Sequence, residues 1–84
     1  MTHATTPDFW HQYHSLPANI RRLADKNFEL LQADPSHSSL QLKAIESVWS
    51  VRVGLHYRAL AYREGEQFVW FWIGSHAEYD KLIG

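Results

Sequence analysis

The sequence predicts an α+β fold in a single domain, residues 1–84, in which an N-terminal helical hairpin packs on a twisted antiparallel meander followed by a short C-terminal helix. Two observations lead to this prediction. The apolar residues repeat with a helical period before Ser38 and with a period of two after it. A length of 84 residues with 45% hydrophobic residues is enough for one core and leaves no room for a second domain.

Two helices are predicted before Ser38. The first begins at Thr6-Pro7-Asp8, where a capping threonine precedes a proline and an acidic residue. It ends before Pro17, because the residue before a proline avoids the helical conformation. The second helix extends from about Pro17 to Ala33, with an apolar stripe on one side, and Asp34-Pro35 stops it.

Four strands and a last helix are predicted after Ser38. Alternating side chains indicate strands at 40–45, 49–53, 57–63 and 67–73. Gly74-Ser75 is expected to end the sheet, and Ser75 with Glu78 then forms the capping box of the final helix. Residues 1–5 give little support for a further strand.

Loop lengths predict which residues share a face of the sheet. A three-residue loop at 54–56 places Val53 opposite Tyr57 and Arg52 opposite Arg58. The face away from the helices then carries Ser50, Arg52, Arg58, Leu60 and Tyr62. With another three-residue loop at 64–66, that face also carries Phe68, Trp70 and Trp72, whereas Val69, Phe71 and Ile73 join the core. A two-residue loop would move these aromatic residues to the opposite face.

The net charge of −1 conceals an uneven distribution. Residues 40–63 carry Lys43, Arg52, Arg58 and Arg63 against a single acidic residue, Glu46, whereas residues 64–84 carry four acidic residues against Lys81. The low total argues against nucleic-acid binding by bulk electrostatics. The basic middle segment nevertheless permits local binding of a phosphate backbone.

The opposed arginines are the strongest functional signal. Like charges directly across two strands repel each other, and a shared phosphate would relieve that repulsion because guanidinium groups bind phosphate well. We therefore expect a phosphate- or RNA-binding surface formed by Arg52 and Arg58, with Lys43 and Arg63 adding positive charge.

Groups suited to acid–base cleavage of a phosphodiester lie nearby. His76 opens the last helix and Tyr79 follows one turn later, so with Arg58 they form a candidate catalytic set. Other interpretations stay open at this point. An acidic residue could neutralise the arginine pair, or His76 could simply hydrogen-bond to the backbone. The acidic candidates are Glu46, Glu78 and Asp80.

Several classes of protein and site are not expected. Cysteine is absent, which excludes disulfides, thiolate metal sites and cysteine nucleophiles. No phosphate-cradling glycine loop, serine nucleophile elbow or metal-ligand motif is present, so no cofactor or metal is predicted. The longest apolar run, 68–73, is too short to span a bilayer, and the N-terminus has no signal-peptide pattern. We expect a soluble cytoplasmic protein.

Three segments resemble the RelE/ParE superfamily of type II toxin–antitoxin toxins over about residues 7–83. They are the run LPANIRRLADKNFELLQADPSHSSLQLKAI, the hairpin W-S-x-R-x followed by Y-R-A-L, and the closing W-I-G-S-H-x-x-Y-D. The resemblance implies the RelE-like fold, a helical hairpin on a twisted antiparallel sheet. It also implies a cognate antitoxin that holds the toxin inactive.

The resemblance implies two alternative activities. RelE-like members cleave mRNA in the ribosomal A site, without a metal, by attack of a ribose 2′-hydroxyl on the next phosphate. ParE-like members inhibit DNA gyrase. For the nuclease, the resemblance assigns the scissile phosphate to Arg58, a supporting basic position to Arg52, and acid or base roles to His76 and Tyr79.

The leading hypothesis is a ribosome-dependent mRNA endoribonuclease, with the antitoxin, the ribosome and mRNA as partners. The strand that carries a pair of lysines in RelE has Val51 and Val53 here. This difference and the near-neutral charge favour the alternatives, which are a gyrase inhibitor and a catalytically degenerate partner-binding module of the same fold.

Overall fold

A computed structural model, which describes residues 1–83, shows three helices and a five-stranded sheet. The elements in chain order are β1 (Thr2–Thr5), α1 (Pro7–His14), α2 (Ala18–Ala33), β2 (Lys43–Ile45), β3 (Val48–Val53), β4 (Tyr57–Glu64), β5 (Gln67–Ser75) and α3 (His76–Ile83). The strand order is β1-β5-β4-β3-β2. The helical hairpin α1–α2 covers one face of the sheet, which confirms the predicted α+β fold.

The helix ends follow the local signals in the sequence. Thr6 caps α1, with its hydroxyl oxygen accepting a hydrogen bond from the Phe9 backbone N–H at 3.2 Å. At α3, the Glu78 N–H donates to Ser75 Oγ at 3.2 Å and the Ser75 N–H donates to Glu78 Oε1 at 3.3 Å. This reciprocal pair is the predicted capping box, and it sets the direction in which α3 leaves the sheet.

The N-terminal residues form a strand that the sequence barely indicates. β1 pairs with β5 in parallel, from Thr2 opposite Gln67 to Thr5 opposite Trp70, so the sheet is mixed and extends beyond the predicted antiparallel meander. His3 explains why β1 holds its place. Trp70 Nε1 donates to His3 Nδ1 at 3.0 Å, and the imidazole packs edge-on against Phe28, with ring centroids 5.2 Å apart.

Two strand boundaries differ from the prediction by more than one residue. The strand expected at 40–45 begins at Lys43, because Gln41 adopts a positive φ of 45° that interrupts extended backbone. Gly74 and Ser75 do not end the sheet. They continue β5 and pair with Arg58 and Tyr57, which brings the start of α3 directly beside β4.

The β3–β4 hairpin has the predicted register. Val53 pairs with Tyr57 and Arg52 pairs with Arg58. Gly54 makes this turn possible, since it has a φ of +67° and a Cβ there would meet Leu23 Cδ2 at 2.5 Å.

The β4–β5 hairpin corrects the predicted placement of several aromatic residues. Glu64 pairs with Gln67, so the loop has two residues, and the alternation that follows is shifted by one. Phe68 and Trp70 therefore lie in the core, and Val69 lies on the sheet face away from the helical hairpin, which we call the outer face.

A bulge in β5 then reverses the alternation again. Ala61 pairs with Trp70 and Leu60 pairs with Trp72, which leaves Phe71 as an extra residue. Trp72 lies on the outer face and Ile73 in the core, as predicted. Phe71 was expected in the core and instead packs on Tyr62, with ring centroids 5.9 Å apart.

The core lies between the helical hairpin and the inner face of the sheet. Its buried members are Leu16, Leu31, Leu40, Val51, Val53, Ala59, Ala61, Phe68, Trp70 and Ile73. None of the helices in the described part of the chain is both long and apolar enough to cross a membrane.

We expect Gly54→Ala to lower the free energy of unfolding by about 2–4 kcal/mol, since it combines left-handed strain with a clash against Leu23. The matched control is Gly65→Ala, where φ is +60° but no atom lies within 4 Å, and we expect a loss of about 1–2 kcal/mol. Urea denaturation measures both. Equal losses would show that Leu23 does not restrict the turn.

The free energy of unfolding should decrease as the pH falls, because His3 becomes protonated. Burial, and secondarily the N-terminal ammonium group, lower the pKa of His3 below its ordinary value of 6.5. The neutral ring is the form that accepts the Trp70 hydrogen bond, so the unfolded chain binds the proton more readily and stability is lost as pH falls below about 6.5.

The free energy of unfolding, measured between pH 7.5 and 5, should therefore decline less in His3→Gln than in the wild type. The exposed His11→Gln control should keep the wild-type dependence. Identical pH profiles for His3→Gln and the wild type would contradict this account of how β1 is held.

Candidate functional site

On the outer face of the sheet, residues of the central strands form two neighbouring rows that contain the predicted basic residues Lys43, Arg52 and Arg58. One row runs Arg52, Arg58 and Gly74 across β3, β4 and β5. The other runs Lys43, Ser50, Leu60 and Trp72 across β2 to β5. Because directly paired residues project to the same side of a sheet, both rows face away from the helical hairpin.

Arg58 lies at the centre of this surface and is only 8% exposed. Its Nη1 donates to Ser50 Oγ at 3.1 Å, and Ser50 is itself fully buried. Its Cζ lies 5.2 Å from the ring centroid of Tyr79, in cation–π geometry. The guanidinium group is thus held between β3 and α3.

Arg52 lies directly opposite Arg58 and is half-buried. Its Nε donates to the Gly54 carbonyl at 3.0 Å, which orients the side chain along the turn. Throughout residues 1–82, neither arginine forms an ion pair with a carboxylate. The two guanidinium groups thus lie on adjacent strands, and none of the acidic candidates Glu46, Glu78 and Asp80 pairs directly with them.

The start of α3 brings the other two predicted catalytic residues to Arg58. The backbone N–H of His76 donates to the His56 carbonyl at 2.6 Å, which fixes the helix start beside the β3–β4 turn. Tyr79 is 5% exposed, and its ring centroid lies 5.8 Å from that of His76. His76 Nε2 is 3.4 Å from Asp80 Oδ2, and half of the imidazole side chain is accessible. Arg58, Tyr79 and His76 therefore form one continuous cluster.

The two remaining basic candidates, Lys43 and Arg63, lie on opposite faces of the sheet. Lys43 is exposed on the outer face, at the end of the row that contains Ser50. Arg63 pairs with the core residue Phe68 and so lies on the inner side of the sheet, where its Cζ is 5.5 Å from the Phe68 ring and its Nε donates to the Gly65 carbonyl at 2.7 Å. Arg63, predicted to add positive charge for phosphate binding, therefore lies on the face opposite to Arg58, because residues five apart on one strand project to opposite faces.

Three residues around the cluster were not predicted as part of the site. They are Ser50, Gly74 and Trp72. Ser50 accepts a hydrogen bond from Arg58, and Gly74 is the cross-strand partner of Arg58. A Cβ on Gly74 would meet Trp72 Cζ2 at 2.6 Å, so the indole occupies the space that a side chain at position 74 would fill. The sequence signal for these residues was their spacing. Ser50 is two residues from Arg52, and Trp72 is two residues from Gly74, so each pair projects to one face of its strand.

The chemistry offered by this surface is binding of an anion next to a histidine. Two guanidinium groups, one of them buried, can make several charge-assisted hydrogen bonds to a phosphate. In residues 1–83, no group of three or more histidines, aspartates or glutamates is arranged to hold a metal ion.

The comparisons with known proteins agree with this architecture. A chain of the RelB–RelE antitoxin–toxin complex of Methanococcus jannaschii superposes with a TM-score of 0.75 at 18% identity, covering 96% of this chain and 99% of that one. A chain of the Mycobacterium tuberculosis RelBE2 toxin–antitoxin complex gives 0.70 at 22% identity, covering 89% and 96%. YafQ of Escherichia coli gives 0.71 at 12% identity, covering 98% and 97%.

At these identities the structural matches establish the shared fold. No curated protein sequence matches the chain significantly. The family model for ParE-like toxin domains, however, matches residues 18–81, which include α2, the four C-terminal strands and most of α3. The chain therefore belongs to the ParE-like toxin domain family, within the RelE/ParE superfamily of toxin–antitoxin toxins.

Proposed function

We propose that this toxin is a ribosome-dependent mRNA endoribonuclease, and that Arg58 and Arg52 bind the phosphate at the cleavage point. The observation that carries the proposal is the buried guanidinium of Arg58, which faces a second arginine and has no carboxylate partner in residues 1–82. A buried cation without a counterion is costly. A phosphodiester bound at this point would compensate the charge of both side chains.

The cleavage step follows from the groups around Arg58. The ribose 2′-hydroxyl loses its proton as its oxygen forms a bond to phosphorus, the bond from phosphorus to the 5′-oxygen breaks, and that oxygen takes up a proton. The products are a 2′,3′-cyclic phosphate and a 5′-hydroxyl. The arginines stabilise the negative charge that develops on the phosphate oxygens in the transition state.

His76 is the group best placed to move a proton in this reaction. Its imidazole is half accessible, and Asp80 near Nε2 restrains the ring. Tyr79 is almost fully buried against Arg58, and we assign it the positioning of that guanidinium group in addition to the acid or base role that the family resemblance implies. Lys43, exposed at the end of the neighbouring row, would contact an adjacent phosphate.

The proposal includes partners and a place of action. The toxin would act in the cytoplasm on mRNA held in the ribosome, and a cognate antitoxin would block it. The structural relatives from M. jannaschii and M. tuberculosis were crystallised as toxin–antitoxin complexes, which supports an antitoxin partner here. The exposed basic and aromatic residues of the outer face would then serve both RNA and the antitoxin.

Cleavage can be tested with purified ribosomes programmed with a defined mRNA. We expect the wild-type chain to cut the mRNA only when it is bound to ribosomes. Arg58→Ala should reduce the cleavage rate by at least about 100-fold, since it removes the principal phosphate contact. His76→Ala should reduce it by about 100-fold or more, as loss of a general acid or base does. Primer extension measures the cut sites.

Arg22→Ala is the matched control, because Arg22 is an exposed arginine on α2, on the opposite side of the sheet. It should cut at the wild-type rate. Intact mRNA on wild-type-treated ribosomes, together with loss of supercoiling by DNA gyrase, would instead identify a gyrase inhibitor. A folded chain that affects neither reaction but binds its antitoxin would be a degenerate binding module.

A further inference from the structure

A cleft lies between the C-terminal end of α1 and the junction of β5 with α3. Its volume is about 380 Å³, within the range of about 300–1,000 Å³ typical of small-molecule sites. Its lining includes Trp72, Gly74, Ser75 and Glu78 on one side and His11 and Gln12 on the other. Of these residues, Trp72 and Gly74 also belong to the outer-face rows that contain the arginines, and the others lie outside them.

Trp72 gives the cleft an aromatic surface in a defined orientation. The indole is half-buried and lies against the backbone of Gly74, where any larger residue would displace it. Every nucleobase can stack on such a ring, regardless of its identity. The glycine thus provides the space that the ring occupies at this point of the sheet.

The opposite wall of the cleft supplies polar groups for the edge of a ring. His11 is exposed, and its ring nitrogens make no hydrogen bond among the described residues. Gln12 Oε1 accepts a hydrogen bond from the Ile73 backbone N–H at 2.9 Å, which orients the amide group. The Nε2 donor of Gln12 takes no part in that bond. An imidazole and an amide are suited to hydrogen bonding with ring nitrogens and exocyclic groups of a base.

The cleft is linked to the phosphate site by a single cross-strand pair. Gly74 lines the cleft and pairs directly with Arg58, so their Cα atoms are separated by only about 5 Å. The Arg58 guanidinium itself is directed toward Ser50 on β3, so an RNA strand whose phosphate it holds would cross over Gly74 to place its own base or the adjacent base in the cleft.

We propose that this cleft is a nucleobase subsite, in which Trp72 stacks on a base of the RNA whose phosphate binds Arg58, and His11 contacts the edge of that base. The inference rests on the proposed nuclease function for the identity of its ligand. It assigns Trp72 and Gly74 to substrate binding and predicts that single-stranded RNA is bound through a base as well as through phosphate.

The test measures binding directly, without ribosomes and without cleavage. The probe is a fluorescein-labelled trinucleotide with 2′-O-methyl riboses, which cannot supply the attacking hydroxyl, titrated with the wild-type chain and read by fluorescence anisotropy. Trp72→Ala should weaken binding by about 5- to 150-fold, the range expected for loss of one stacked base. Trp72→Phe, which keeps a ring, should lose much less.

Abasic trinucleotides make the test independent of protein folding. Removing the base at one of the three positions should weaken binding to the wild-type chain by a similar factor. For that abasic ligand, Trp72→Ala should cause no further loss. Gly74→Ala should behave like Trp72→Ala, because its methyl group displaces the indole. The matched control is Trp10→Ala, an exposed tryptophan outside the cleft, which should bind like the wild type.

Three results would overturn the subsite. They are the absence of saturable binding by the wild-type chain, wild-type affinity in a folded Trp72→Ala variant, and equal loss for complete and abasic ligands in that variant. The outcome is separate from that of the proposed nuclease. Base-dependent binding without mRNA cleavage would reject the nuclease and retain the subsite. Cleavage that depends on Arg58, with no effect of Trp72→Ala on binding, would retain the nuclease and reject the subsite.

Discussion

The burial of the Arg58 guanidinium connects the elements that form the functional surface. Ser50 on β3 accepts one of its hydrogen bonds, and the ring of Tyr79 on α3 lies against it. Tyr79 is also the buried residue of α3 among the side chains that the structure describes. The cation therefore attaches the last helix to the sheet and at the same time creates a demand for negative charge on the outer face, since a buried charge is stable only with partners.

The central hairpin separates packing from chemistry by the alternation of its side chains. Val51, Val53 and Ala59 face the helical hairpin, while Arg52 and Arg58 face outward from the same strands. A shift of one residue in register would exchange the two sets completely. The stability of the core thus fixes the position of the arginines.

Distant contacts hold this hairpin from both sides. The Arg52 backbone N–H donates to the Leu40 carbonyl at 2.7 Å, and the Arg52 carbonyl accepts a hydrogen bond from Asn27 Nδ2 at 3.1 Å. The loop before β2 and helix α2 therefore both bind the strand at the residue that contributes the second guanidinium group. Such contacts keep the backbone of a binding site rigid and leave its side chains free to bind a ligand.

The sequence by itself determined the helices, their caps, the β3–β4 register and the opposition of Arg52 to Arg58. These features depend on residues a few positions apart, through helical periodicity, capping hydrogen bonds and turn length, so they can be predicted from local pattern. The placement of His76 and Tyr79 one turn apart, at the start of a helix, was available for the same reason.

Only the tertiary structure decided the pairing of β1 with β5, the bulge at Phe71 and the burial of Arg58 without a carboxylate partner in residues 1–82. Each depends on residues far apart in the chain: His3 finds Trp70, and Arg58 lies between Ser50 and Tyr79. The position of Arg63 on the inner side and the seating of Trp72 on Gly74 likewise follow from the complete sheet. Whether a charged or aromatic side chain is buried, paired or available depends on every element packed around it, and local sequence pattern does not contain that information.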